Sequence, residues 1–193
     1  MALTILPPHA GHLRLHPVAP RLAPMFCFAL LTVSCALASF ALACATPFAA
    51  FAVLAAAMLP LRPALLVVTG AWLVNQTIGF CALHYPVDAS TVAWGFVIGA
   101  AALVATAASS AVLRMLPQGR APLMLAITFV AAYAAYELAL LAATPALGGE
   151  GAFTAAIVVR IGLTSAVWLA GLVAACEIVR LVDPFSRRRT MSA

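Results

Sequence analysis

Four strongly polar side chains, Asn75, Gln76, Glu137 and Arg160, stand inside sequence that is otherwise apolar enough to lie in a bilayer. Each carries a distinct chemistry. A carboxamide donates and accepts hydrogen bonds, a carboxyl accepts them or holds a proton, and a guanidinium presents a planar fork that matches carboxylate and phosphate. None of these groups can go unanswered in hydrocarbon, where a polar atom loses its water without a replacement. Ionisable residues placed there read as functional by default, although they also serve as glue between helices.

Helical periodicity gathers neighbours around them. Trp72, Asn75, Gln76 and Gly79 share one face of their segment, and Tyr133, Tyr136 and Glu137 share one of theirs. Arg160 and Thr164 lie on a third, while Thr91, Trp94 and Gly95 open a fourth. Counted from the outer ends of their segments, Asn75 is ~12 Å deep, Glu137 ~9 Å and Arg160 ~11 Å. One polar pocket is therefore expected in the outer half of the membrane, lined by Trp72, Asn75, Gln76, Trp94, Tyr133, Tyr136, Glu137, Arg160 and Thr164. Aromatic walls with a few converging polar groups are the usual make-up of a small-molecule site. The competing reading is that Glu137 and Arg160 pair with each other, capped by the two amides, in a bond that only fixes helix packing.

Six apolar segments position these residues: 25–44, 48–59, 64–83, 91–116, 122–143 and 153–181. The second is the odd one. Its dozen residues reach only ~18 Å, short of the ~30 Å core of a bilayer, so it must be buried among the others. The expected fold is an all-α, polytopic membrane bundle of about six spans, one domain over 25–182. A proline-rich, flexible basic tail precedes it at 1–24, and a second basic tail follows at 183–193. The first apolar run is longer than a signal-peptide core and is read as a retained helix. Gly95-x-x-x-Gly99, continued by Ala102, Thr106 and Ser109, and the stripe Gly162-Ala166-Ala170-Ala174 are small-residue faces on which helices approach closely.

Composition agrees: 66% of the 193 residues are hydrophobic and 8% charged, with mean hydropathy +1.14, which excludes an ordinary soluble domain. The net charge of +5 does not point to nucleic acid, because the arginines collect at segment ends. With six alternating segments, Arg14, Arg21, Arg62, Arg114, Arg120, Arg180 and Arg187 to Arg189 fall on one side. The positive-inside rule makes that side the cytoplasm, so both termini are expected there, in a multi-pass protein of the cell (inner) membrane. His84, Asp88 and Glu150 fall on the other side.

Other chemistry is weaker. His9, His12 and His16 have helical spacing, but the surrounding prolines spoil it. Cys81, His84 and Asp88 could offer three metal ligands at the outer mouth, yet the Pro86 loop interrupts them, and no metal or cofactor is expected. Cys44 and Cys81 could both lie near the outer face, within reach of a disulfide. The sequence has no zinc-protease, intramembrane-protease or phosphate-loop motif, so catalysis is not expected.

Six spans in under 200 residues, an unusually short early helix, cytoplasmic termini, small-residue stripes and an outward polar pocket resemble the substrate-binding S component of energy-coupling-factor transporters. The resemblance is architectural and covers most of the chain. It implies capture of a vitamin-like or metal-related small molecule from outside, with energy from a separate transmembrane coupling protein and cytoplasmic ATPases. That family docks through alanines four apart in the first helix. Here the first helix offers Cys35-Ser39-Ala43, and only Ala41-Ala45 as a strict pair, near the outer end. The alternative is a structural or assembly membrane protein whose polar cluster holds helices together.

Overall fold

A segment with no polar side chain at all, Phe48-Ala-Ala-Phe-Ala-Val-Leu-Ala-Ala-Ala-Met58, forms the centre of the molecule. The computed structural model describes residues 15, 17–42, 45–116 and 120–182. In it five helices are long and apolar enough to cross a membrane: Ala23–Leu42, Leu61–Ala82, Ala89–Met115, Ala121–Leu147 and Ala155–Val182. We name the elements α1 (Ala23–Leu42), α2 (Phe48–Met58), α3 (Leu61–Thr77, extended by a π-helical turn Ile78–Ala82), α4 (Ala89–Met115), α5 (Ala121–Leu141), the single turn α6 (Thr144–Leu147) and α7 (Ala155–Val182). Among the described residues all regular structure is helical.

Every residue of α2 is buried, and α2 touches α1, α3, α4, α5 and α7. Its alanines let the long helices close in, and Phe48 and Phe51, edge to face at 5.8 Å, fill the remaining space. Although short, α2 returns the chain to the end where α1 began. Cys35 Sγ meets the Ala71 carbonyl and Ser39 meets Asn75, both 36 residues apart in sequence, so α1 and α3 run in the same direction. At the far end the Leu15 N–H donates to the Ala57 carbonyl at 2.8 Å, joining the stretch before α1 to the last turn of α2. Within the expected tail, Leu15 is thus buried at 4% exposure.

Asn75 binds both Ser39, inside α1, and Thr46, just before α2, so Thr46 stands at the level of Ser39 where α2 starts. Pro47 and Pro60 bracket α2 and lack the N–H needed to continue a helix inward from either side.

The helix ends differ from the hydropathy reading by up to three residues, and two of the differences have a local cause. α3 opens at Leu61 rather than 64, because Pro63 falls in its first turn, where a missing N–H costs nothing. α7 opens at Ala155 rather than 153, because Glu150–Phe153 form a 3-10 turn and Thr154 is extended. Asp88 caps α4: its carboxylate accepts from the Thr91 N–H and hydroxyl, both at 2.9 Å. The residues of the stripe Gly95, Gly99, Ala102, Thr106 and Ser109 are all buried. The α7 stripe behaves differently. Gly162 receives Tyr133, but Ala170 and Ala174 are exposed, and α7 instead buries Ser165, Leu169, Leu172 and Cys176.

Candidate functional site

The residues expected to share one pocket occupy four neighbourhoods. In the first, Asn75 donates through Nδ2 to Ser39 Oγ and Thr46 Oγ1, both at 2.9 Å, and accepts from Gln76 Nε2 at 3.2 Å. The carboxamides of α3 thus answer each other and two hydroxyls from the α1 side. Gln76 Oε1 lies against Gly95, where a Cβ would stand 2.4 Å away. One turn deeper, Trp72 donates from Nε1 to the Gly95 carbonyl at 2.8 Å, and its ring lies on Gly99. At Gly99 the held indole leaves no room for a side chain, while at Gly95 the facing atom is the movable end of Gln76.

The second neighbourhood joins α5 to α7. Tyr133 donates its hydroxyl hydrogen to the Val158 carbonyl at 2.6 Å, lies on Gly162, and stacks on Phe129 with ring centres 6.0 Å apart. Glu137 is half-buried and interacts with the Tyr133 hydroxyl, and Tyr136 is buried close by. Trp94 makes the third. It sits under the turn before α7, against Gly149, whose φ of 93° suits glycine.

Arg160 stands apart in the fourth. At 3.6 residues per turn its side chain leaves α7 about 160° from Val158 and Gly162, the residues that meet Tyr133. It does not pair with Glu137; among the described residues the ion pair is Arg180–Glu177 at 2.6 Å, one turn from the end of α7. Arg160 is exposed, and its guanidinium has no hydrogen-bond or ion-pair partner among the described residues. Together with Ala41, Leu42, Ala45, Ile161 and Thr164 it lines a groove of about 380 Å³ at the seam of α1 and α7. Thr164 donates its hydroxyl hydrogen to the Arg160 carbonyl at 2.9 Å. The seam is bridged deeper in by Trp168 Nε1, which donates to Ser34 Oγ at 2.6 Å. The strict alanine pair Ala41-Ala45 therefore lines this groove.

Several residues of these neighbourhoods were not singled out as site candidates by sequence reasoning: Ser34, Ser39 and Thr46, and the groove walls Ala41, Leu42 and Ala45. The available signal was that buried amides and an indole N–H need acceptors at their own depth, and the few hydroxyls of the α1 region were the candidates.

Among the described residues no three His, Cys, Asp or Glu side chains gather as a metal site. Asp88 is engaged as a cap, and the Thr91 N–H beside it holds its carboxyl below the usual carboxylate range. His84 sits at φ 55° in the loop. His9, His12, His16 and Cys44 lie outside the described residues, so the histidine spacing and the Cys44–Cys81 pairing do too.

Five helices long and apolar enough to cross a membrane define the class: a multi-pass helical membrane protein. No protein-family model, curated protein or solved structure matches the chain.

Proposed function

We propose that the protein is a small-molecule binding or uptake component of the cell membrane, with six crossings, both termini cytoplasmic, and an anion site at Arg160. The observation that carries this is the guanidinium itself: a permanent charge near the end of an apolar helix, exposed in a groove and without an acidic partner among the described residues. Such a charge, bordered by apolar walls, is matched by a carboxylate or phosphate brought from outside. The binding residues narrow to Arg160 and Thr164 with the groove walls Ala41, Leu42, Ala45 and Ile161, while Asn75, Gln76, Trp72 and Tyr133 hold helices in register. The arginines support the orientation, since Arg21, Arg62, Arg114, Arg120 and Arg180 all stand at the end of the bundle where α1 begins. Uptake would draw energy from a separate membrane partner with cytoplasmic ATPases.

A second reading, a structural or assembly protein, is favoured by the closure of the amide cluster on itself. Native mass spectrometry of the full-length protein purified in mild detergent separates the two. Binding predicts an anion that copurifies and is lost in Arg160→Gln, with unfolding free energy unchanged to within about 0.5 kcal/mol, as for an exposed site. A protein that carries no Arg160-dependent mass supports the structural reading.

A further inference from the structure

The groove at Arg160 has the chemistry of one charged point on an apolar slot, and we infer that its occupant is an anionic lipid of the outer leaflet, held by its phosphate. The inference rests on the anion-site reading above and specifies its ligand. A hydrophilic metabolite presents several polar atoms, each needing a partner once buried. The groove offers few. Four of its six lining residues are Ala41, Leu42, Ala45 and Ile161, and the Thr164 hydroxyl hydrogen is already committed to the Arg160 carbonyl. Among the described lining residues only the guanidinium is free to donate from its side chain.

Depth agrees with a lipid phosphate. α7 has 28 residues and is ~42 Å long, about 12 Å longer than the hydrocarbon core. Shared between its two ends, that excess places Arg160, ~8 Å from the start of α7, at the boundary between acyl chains and headgroups. Below it the groove follows the α1–α7 seam to Thr164, ~6 Å further along α7, and deeper still the Trp168–Ser34 bond joins the two helices. That length accommodates the first few carbons of one acyl chain. The lining residues Ala41 and Arg160 are exposed, and beside them Phe40 (64% exposed) on α1 and Leu163 (64%) on α7 give the apolar outer surface from which a lipid would enter without leaving the bilayer.

The test uses full-length protein, delipidated in detergent and titrated with phosphatidylglycerol or phosphatidylcholine, read by native mass spectrometry. Wild type should retain phosphatidylglycerol at least ten-fold better than phosphatidylcholine. Arg160→Gln should lose that preference, Arg160→Lys should keep part of it, and Ala45→Leu, which fills the slot but leaves the charge, should lose it as well. Melting curves matching wild type show that the variants fold. Equal retention of the two lipids by wild type, or an Ala45→Leu protein that still selects phosphatidylglycerol, overturns the inference. Inorganic phosphate and glycerol phosphate form the second arm. If either binds in an Arg160-dependent way while the lipid does not, the anion site stands and its lipid identity falls; if nothing binds through Arg160, both fall.

Discussion

Asn75 directs its donors to hydroxyls from two different parts of the chain, Ser39 in α1 and Thr46 before α2. Hydrogen bonds between membrane helices contribute about 0.6 kcal/mol each on average and up to ~1.7, so Asn75→Leu should destabilise the protein by about 1 kcal/mol. Gln76→Leu should cost less, because the bond that Gln76 donates goes to its neighbour Asn75. Thermal unfolding in detergent compares them, and a larger loss for Gln76→Leu would show that the amide cluster is organised differently. Trp168→Phe removes the one indole bond to Ser34 and should cost about 0.6 to 1.7 kcal/mol in the same assay. These residues act through helix packing, whereas Arg160 touches a groove and contributes little to folding.

The helices owe their arrangement to where small side chains fall. A Cβ at Gly95 would approach Gln76 Oε1 to 2.4 Å, and one at Gly99 would approach the Trp72 ring to 2.7 Å. The shorter distance is the less costly one. Gln76 ends in a flexible amide that can swing aside, but the Trp72 indole is held by its bond to the Gly95 carbonyl. Gly99→Ala should therefore destabilise the α3–α4 joint by about 1 to 3 kcal/mol, and Gly95→Ala by less. Ala55 on α2 has 0% exposure, so Ala55→Leu should cost a similar ~1 to 3 kcal/mol by overpacking, while Ala170→Leu on the exposed side of α7 should be near neutral. Thermal melts of these variants rank the two kinds of site directly.

The α4 cap adds a pH response. Asp88 has a folded pKa below its ordinary 3.8, chiefly because the Thr91 N–H bonds the carboxylate. Its capping contribution is complete above that ordinary value and is lost as pH falls through the lower folded one. Asp88→Asn, which keeps an acceptor for the Thr91 N–H, should flatten the acid side of the stability profile. An unchanged acid limb in the variant would assign that limb to other groups.

For the molecule as a whole, the proposed six crossings require that the α3–α4 loop and the α4–α5 turn face opposite sides. Val87, 84% exposed, and Met115, 83% exposed, are suitable reporters. In a Cys44→Ala, Cys81→Ala background, Val87→Cys should react with a membrane-impermeant maleimide in intact cells, and Met115→Cys only after the membrane is opened. The reverse pattern would invert the orientation and place the Arg160 groove on the cytoplasmic side.

By itself the sequence determined the helical elements and the class of the protein. Runs of apolar residues bounded by Pro47, Pro60 and Asp88 can satisfy their backbone in hydrocarbon only as helices. It also marked the residues under constraint, because a polar group inside such a run needs a partner. Which partner was left to the tertiary structure. α7 is apolar around its whole circumference, so hydropathy carries no rotation, and a turn of about 160° separates Arg160 from the Tyr133–Glu137 neighbourhood to which depth alone had joined it. The same holds for α2, whose composition announced burial but not its path. Only the contacts at Thr46 and Leu15 show that eleven residues return the chain, and thereby leave α1 and α7 side by side with a charged groove between them.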